Sequence, residues 1–93
     1  NIENFLDVYP NPFNPSTTIN FSLTHSGQVE IVIYNVKGQK VRTFNIDNYP
    51  EIAAGNVVWN GEDYLGNAVS TGVYFYKLEA GSYSQTKKMI MIK

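Results

Sequence analysis

Side chains able to do acid–base or nucleophilic chemistry are few in this sequence. His25 is the single histidine, and no Asp or Glu stands at a spacing that would orient its ring as a general base. Glu62 and Asp63 are adjacent carboxylates, a pattern more typical of a turn than of a general acid and base. The absence of cysteine excludes a thiol nucleophile and a cysteine zinc site. The sequence therefore predicts a non-catalytic domain with no catalytic residue and no cofactor, in which His25 is a solvated turn residue.

Oxygen ligands for a hard cation are concentrated in one short loop. They are Asn60, Glu62, Asp63 and Asn67. A calcium ion needs several oxygens on a flexible loop, but this spacing lacks the closing bidentate glutamate of an EF-hand. Asn and Asp side chains also bond to their own backbone as Asx turns, which explains three of these residues without a metal. We therefore predict no metal site, and calcium binding is the alternative.

This loop lies inside the stretch from Trp59 to Leu78, around which the rest of the chain is organised. The stretch is predicted to be a strand, a corner and a second strand. Gly61, Gly66 and Gly72 supply the positive-φ or crowded positions that such a corner needs. The remaining strands are expected to pair with these two.

The aromatic residues of this stretch are predicted to be buried. Trp59 alternates in phase with Val57, and Tyr74 and Tyr76 share a face with Leu78. Tyr74 is predicted to act as a tyrosine corner, whose hydroxyl bonds to backbone just upstream in immunoglobulin-like folds. Four other tyrosines have an undecided exposure: Tyr34, Tyr49, Tyr64 and Tyr83. Two or three of them clustered on one exposed face would favour glycan binding.

Composition places the chain among folded single domains. Its 93 residues are 43% hydrophobic, 14% aromatic and only 16% charged, which is unlike a disordered segment. A net charge of −1 gives no reason to expect nucleic-acid binding, and no apolar run is long enough to span a bilayer. Because the chain begins with Asn1 rather than methionine, with an entry segment typical of the middle of a protein, we expect residues 1–93 to be one domain cut from a longer chain.

Alternating apolar residues predict an all-β fold. No stretch repeats apolar residues at helical spacing over three turns, so no α-helix is expected. Lys37-Gly38 predicts a hairpin with Gly38 in the left-handed conformation, and the connection over 49–55 is expected to cross between sheets. After a short first strand or docking segment within 1–9, the predicted strands include 17–23, 29–34, 41–46, 57–59, 73–79 and 82–92. About seven short strands at this spacing predict an immunoglobulin-like antiparallel β-sandwich.

Proline dominates the segment that precedes the second strand. Pro10, Pro12 and Pro15 each remove a backbone N–H and bias the preceding residue towards extended geometry. We therefore expect neither a helix nor ladder pairing here, but a stiff loop with Phe13 inserted into the core. A polyproline ligand for a partner is the alternative, and any of the three X–Pro bonds is open to the cis form.

The last strand has apolar residues on both faces. Lys88, Ile90 and Ile92 alternate with Lys87, Met89 and Met91. This pattern predicts a strand buried on both sides, with an edge strand that adds to a partner's sheet as the alternative.

Several motifs carry a family resemblance over residues 9–93. They are Asn11-Pro12-Phe13-Asn14-Pro15-Ser16-Thr17-Thr18-Ile19, Ile33-Tyr34-Asn35-Val36-Lys37-Gly38-Gln39, Trp59-Asn60-Gly61 with Asp63 and Gly66, Val69-Ser70-Thr71-Gly72-Val73-Tyr74-Phe75-Tyr76, and Lys87-Lys88-Met89-Ile90. Together they resemble the C-terminal sorting domain of proteins exported by the type IX secretion system. The pattern is also similar to the immunoglobulin-like domain of flagellar hook-capping proteins.

The resemblance implies a non-catalytic module at the C-terminus of a larger secreted protein, often a multidomain hydrolase. The outer-membrane export apparatus would recognise it, and a sortase-like peptidase would commonly remove it, sometimes anchoring the N-terminal cargo domains to surface lipopolysaccharide. The protein would then be secreted or held at the cell surface, by way of the periplasm and outer membrane. The alternative is a structural spacer or carbohydrate-binding immunoglobulin-like module of a secreted polysaccharide-degrading enzyme. The candidate recognition residues are Gly72, Tyr74, Tyr76, Lys87, Lys88 and Lys93.

Overall fold

The computed structural model describes residues 5–23, 27–49, 53–81 and 83–92. Within these ranges the chain forms strands and turns and no helix. The strands are β1 (Phe5–Tyr9), β2 (Thr17–Leu23), β3 (Gly27–Tyr34), β4 (Lys40–Tyr49), β5 (Ala53–Trp59), β6 (Gly72–Ala80) and β7 (Tyr83–Met91). His25 and Ser26, predicted to form a turn, lie outside the described residues.

The strands form two sheets that face each other. One sheet has the order β1-β2-β5 and the other β4-β3-β6-β7, and every neighbouring pair of strands is antiparallel. β4 and β5 belong to different sheets, so the connection between them crosses as expected. Gly38 turns the β3–β4 hairpin at a φ of 81°. The prediction of an immunoglobulin-like antiparallel β-sandwich is confirmed.

The core lies between the sheets and follows the predicted alternation. On β2, Ile19, Phe21 and Leu23 are buried, and the odd-numbered apolar residues of β3 face them from the other sheet. Trp59, Phe13 and the tyrosines of β6 complete one cluster with Met89 and Met91. Each large side chain buried in this way contributes about 1.5–3 kcal/mol relative to exposure.

β7 is an edge strand, so the prediction that it is buried on both faces is wrong. Met89 and Met91 are buried, but Ile90 is 36% exposed and Ile92 is 48% exposed. The facing sheet β1-β2-β5 covers only the inner face of β7. Within its own sheet, β7 has one neighbouring strand, β6.

The proline segment is a loop with Phe13 fully inserted into the core, as predicted. The prediction that it makes no ladder pairing is wrong at one residue. Phe13 N donates to Ile90 O at 3.0 Å, and Ile92 N donates to Phe13 O at 2.9 Å, in a parallel bridge to the end of β7. Proline removes only its own N–H, so Phe13, between two prolines, keeps a donor. The bonds before Pro10, Pro12 and Pro15 are all cis.

No helix among the described residues is long and apolar enough to cross a bilayer.

Candidate recognition site

Tyr74 anchors the corner at which the chain enters β6. Its hydroxyl donates to Ser70 O at 2.5 Å, four residues upstream. A buried phenol needs a partner for its O–H, and a carbonyl of the preceding loop supplies one at little conformational cost. The predicted tyrosine corner is confirmed, and it fixes the loop that leads into β6.

Three aromatic rings hold this corner against the proline segment. The Trp59 ring lies 5.6 Å from the Phe13 ring and 5.3 Å from the Tyr74 ring, the second pair in an edge-to-face arrangement. Trp59 Nε1 donates to Glu62 O at 2.8 Å, so its polar atom is paired although the side chain is buried. The predicted burial of Trp59 and Tyr74 is confirmed.

Position 61 requires glycine for two reasons, its positive φ and the lack of room for a side chain. Its φ is 76°, and a Cβ added there would lie 2.9 Å from Pro15 O and 3.1 Å from Met91 Sδ. The backbone of the corner therefore packs directly against the proline segment and the end of β7. Gly66 and Gly72 also have positive φ, at 86° and 155°, as the sequence predicts.

The oxygen-rich loop is organised by its own backbone. Asp63 Oδ1 accepts hydrogen bonds from Leu65 N and Asn67 N, both at 2.9 Å, which confirms the Asx turn at this residue. Asn60 differs, because its Nδ2 donates to Glu62 Oε1 at 3.2 Å. Across the ranges that the structure describes, no group of three Asp, Glu or His side chains is placed to hold a metal ion.

Tyr76 is buried in the centre of β6 and has a shifted pKa. Burial of the phenol, and then the negative charge of Asp7 on β1, raise the pKa of Tyr76 to about 12. Both effects disfavour the phenolate. Tyr76 is therefore a neutral core residue at physiological pH.

The structure brings five of the six candidate recognition residues onto neighbouring strands. Gly72 pairs with Met91, Tyr74 with Met89 and Tyr76 with Lys87. Lys87 and Lys88 are exposed, whereas Tyr74 and Tyr76 are buried and present no surface to a partner. Lys93 lies outside the described residues.

Of the four tyrosines of undecided exposure, the three whose side chains the structure describes do not gather on one face. Tyr34 lies on the outer face of the four-stranded sheet and is half-buried, whereas Tyr83 packs against the core. Tyr64 is 72% exposed in the corner loop, and the side chain of Tyr49 lies outside the described residues.

Sequence reasoning missed the pairing between the proline segment and β7. Besides the Phe13 bridge, Asn11 Oδ1 accepts a hydrogen bond from Ile90 N at 3.0 Å. No local signal could have found this pairing, because the partner of Asn11 lies 79 residues away in the sequence.

The sequence model of one family, described as a secretion system C-terminal sorting domain, matches residues 7–93. The chain belongs to this family. The resemblance to sorting domains of the type IX secretion system is thereby confirmed, and such a domain is a signal for export to the cell surface or the medium. No curated protein matches the chain.

Two solved structures from Porphyromonas gingivalis share the fold of this sorting domain. A crystal structure of dimeric latent PorU is similar at 20% identity with a TM-score of 0.77, over 99% of this chain and 9% of that one. PorZ, described as an essential bacterial surface component of the type IX secretion system, is similar at 23% identity with a TM-score of 0.65. That match covers 95% of this chain and 11% of PorZ. The sorting domain thus spans about a tenth of the length of either structure.

Proposed function

We propose that this sorting domain is a non-catalytic module that the outer-membrane apparatus of the type IX system reads, and that it directs a larger N-terminal cargo across the outer membrane. The observation that carries the proposal is the family match over residues 7–93. The chemistry of the domain is compatible with this role, because the carboxylate of Asp63 in the oxygen-rich loop bonds to the backbone of that loop.

Recognition is proposed to use exposed residues near the end of the chain. Lys87 and Lys88 present their ammonium groups at the surface of β7, and we include Lys93 with them. Gly72, Tyr74 and Tyr76 contribute indirectly. They lie on β6, the strand that pairs with β7, and so fix the position of β7. A sortase-like peptidase then removes the domain, and the cargo is released or attached to surface lipopolysaccharide.

Export of a fluorescent reporter tests the proposal. The reporter carries a signal peptide and residues 1–93, and it is expressed in a bacterium with a working type IX system and in a mutant lacking that system. We expect the reporter outside the cell only in the working strain. A reporter that stays in the periplasm of both strains while the domain is folded would contradict sorting. It would favour the alternative, a structural spacer or a carbohydrate-binding module. A polysaccharide pull-down would then distinguish these two, because only the second binds the polysaccharide.

A further inference from the structure

One side of β7 carries backbone groups that point away from the sheet. Phe13 N donates to Ile90 O, Ile92 N donates to Phe13 O, and Ile90 N donates to the side chain of Asn11. Even-numbered residues of β7 therefore direct their N–H and C=O groups away from β6, because the direction alternates along an antiparallel strand. Ser84 and Thr86 share this orientation with Lys88, and the structure shows no backbone partner for the three among the residues it describes.

Among the residues that the structure describes, the chain occupies only one end of this edge. β1 pairs with β2 over Phe5–Tyr9 and so belongs to the other sheet. β1 lies close to β7 without pairing with it, and after Tyr9 the chain pairs with β7, where Phe13 bridges to Met91 in parallel. The edge thus already accepts one extended segment, and the part from Ser84 to Lys88 is left open beside it.

The charge on β7 itself is positive. Lys87 and Lys88 are exposed, and no Asp or Glu occurs from Tyr83 to Ile92. Two carboxylates of the described residues face this region from other strands. Asp7 on β1 acts on the Tyr76 hydroxyl, and Glu79 on β6 pairs with Ser84 and lies 3.9 Å from the ammonium group of Lys77. Lysines at a sheet edge disfavour pairing with a second copy of the same edge and favour a strand of opposite charge.

Apolar side chains lie next to the open edge on the outer face of the sheet. Phe75 pairs with Lys88 and is half-buried, and Ile90 follows on the same face. A strand placed beside β7 would bring alternate side chains against these residues. Backbone pairing would supply affinity, and the lysines and apolar residues would supply selectivity.

We propose that β7 receives an extended, acidic segment of a partner protein, which adds to the sheet as a further strand along Ser84–Lys88. The inference rests on the proposed function in so far as the partner belongs to the export apparatus. It specifies that function further, because the site recognised is a row of backbone groups flanked by lysines.

Substitutions at the outward-facing positions of β7 test this in the reporter assay. Thr86→Pro removes an outward N–H that the fold does not use, and Thr86→Val keeps that N–H while removing the hydroxyl. The double variant Lys87→Glu/Lys88→Glu reverses the charge and leaves the backbone intact. Thermal melts and protease resistance of the purified domains show whether each variant is folded. Ser84→Pro replaces Thr86→Pro if the latter does not fold.

We expect Thr86→Pro to lower export by about fivefold, the scale of one lost backbone hydrogen bond. The double lysine variant should lower export by a similar factor, because its new carboxylates repel an acidic strand. Thr86→Val should be exported like the parent. Normal export of a folded Thr86→Pro would overturn strand addition and leave sorting intact. Equal loss with Thr86→Val would show that the side chain is read instead of the backbone. Normal export of the double lysine variant would overturn the acidic partner. A parent domain that is not exported would overturn sorting and this inference together.

Discussion

At the scale of single residues, burial of Tyr76 in the core changes the pKa of its hydroxyl. The side chain is 2% exposed, and its pKa rises from 10.0 to about 12 because burial and the charge of Asp7 disfavour the phenolate. Asp7 is exposed on the neighbouring sheet, so burial is the main cause. The folded state therefore holds this proton more tightly than the unfolded chain does.

This difference predicts a loss of stability in alkaline solution. Below pH 10 both states keep the proton and Tyr76 contributes no pH dependence, whereas between pH 10 and about 12 the unfolded state has released it. The free energy of unfolding should fall in that window by at most about 1.4 kcal/mol per pH unit. Urea denaturation of the parent and of Tyr76→Phe across this pH range measures the fall. The difference between the two pH profiles isolates Tyr76, because the two proteins share all other ionisable groups. Identical pH profiles for the two proteins would contradict the assignment.

At the scale of elements, the proline segment joins the two sheets. Thr17, at the start of β2, donates its hydroxyl to Pro10 O at 2.7 Å, while Phe13 bridges to β7 in the other sheet. The Phe13 ring also contacts Trp59, which β5 supplies from the first sheet. One short loop therefore closes an end of the sandwich through backbone bonds and a buried ring.

Phe13→Ala should destabilise the domain by about 3–5 kcal/mol, because it leaves a cavity beside Trp59 where the surrounding loops cannot collapse. Tyr9→Ala is the matched control, an aromatic residue at the end of β1 directly before the proline segment. Tyr9 is 78% exposed, so its removal should change stability by no more than about 0.5 kcal/mol. Chemical denaturation measures both. Equal small effects would show that the ring of Phe13 is not what holds the segment in place.

At the scale of the whole molecule, the last strand serves the fold and the proposed signal together. Met89 and Met91 fill the core, and Lys87 and Lys88 lie at the surface of the same strand. The end of β7 also holds the proline segment through Ile90 and Ile92. Any change to the end of the chain therefore needs a test of folding beside a test of export.

Deletion of residues 87–93 should abolish both folding and secretion. Each buried methionine stabilises the fold by about 2–5 kcal/mol relative to alanine. The total free energy of unfolding of a domain of this size is about 5–15 kcal/mol. We expect no cooperative thermal melt and no reporter outside the cell. Ile92→Ser is the control for folding, because Ile92 is 48% exposed and its backbone bond to Phe13 survives the change. Secretion of the truncated reporter at the parent level would contradict the prediction.

Much of this protein was determined by local sequence. Alternation placed Ile19, Phe21 and Leu23 in the core, and glycine at 38, 61 and 66 marked positive φ, because both depend only on the geometry of a few neighbouring residues. The tyrosine corner also follows from local spacing, since Tyr74 bonds to a residue four positions away.

Tertiary structure alone decided which strand lies at an edge and what covers it. The final strand has apolar residues on both faces, and only the order β4-β3-β6-β7 shows that Ile90 and Ile92 face outwards. The pairing of Asn11 and Phe13 with β7 joins residues almost a chain length apart, so no periodicity records it. The open edge from Ser84 to Lys88 depends on both facts, because a strand's free hydrogen-bonding groups are set by its neighbours in space and not by its own residues.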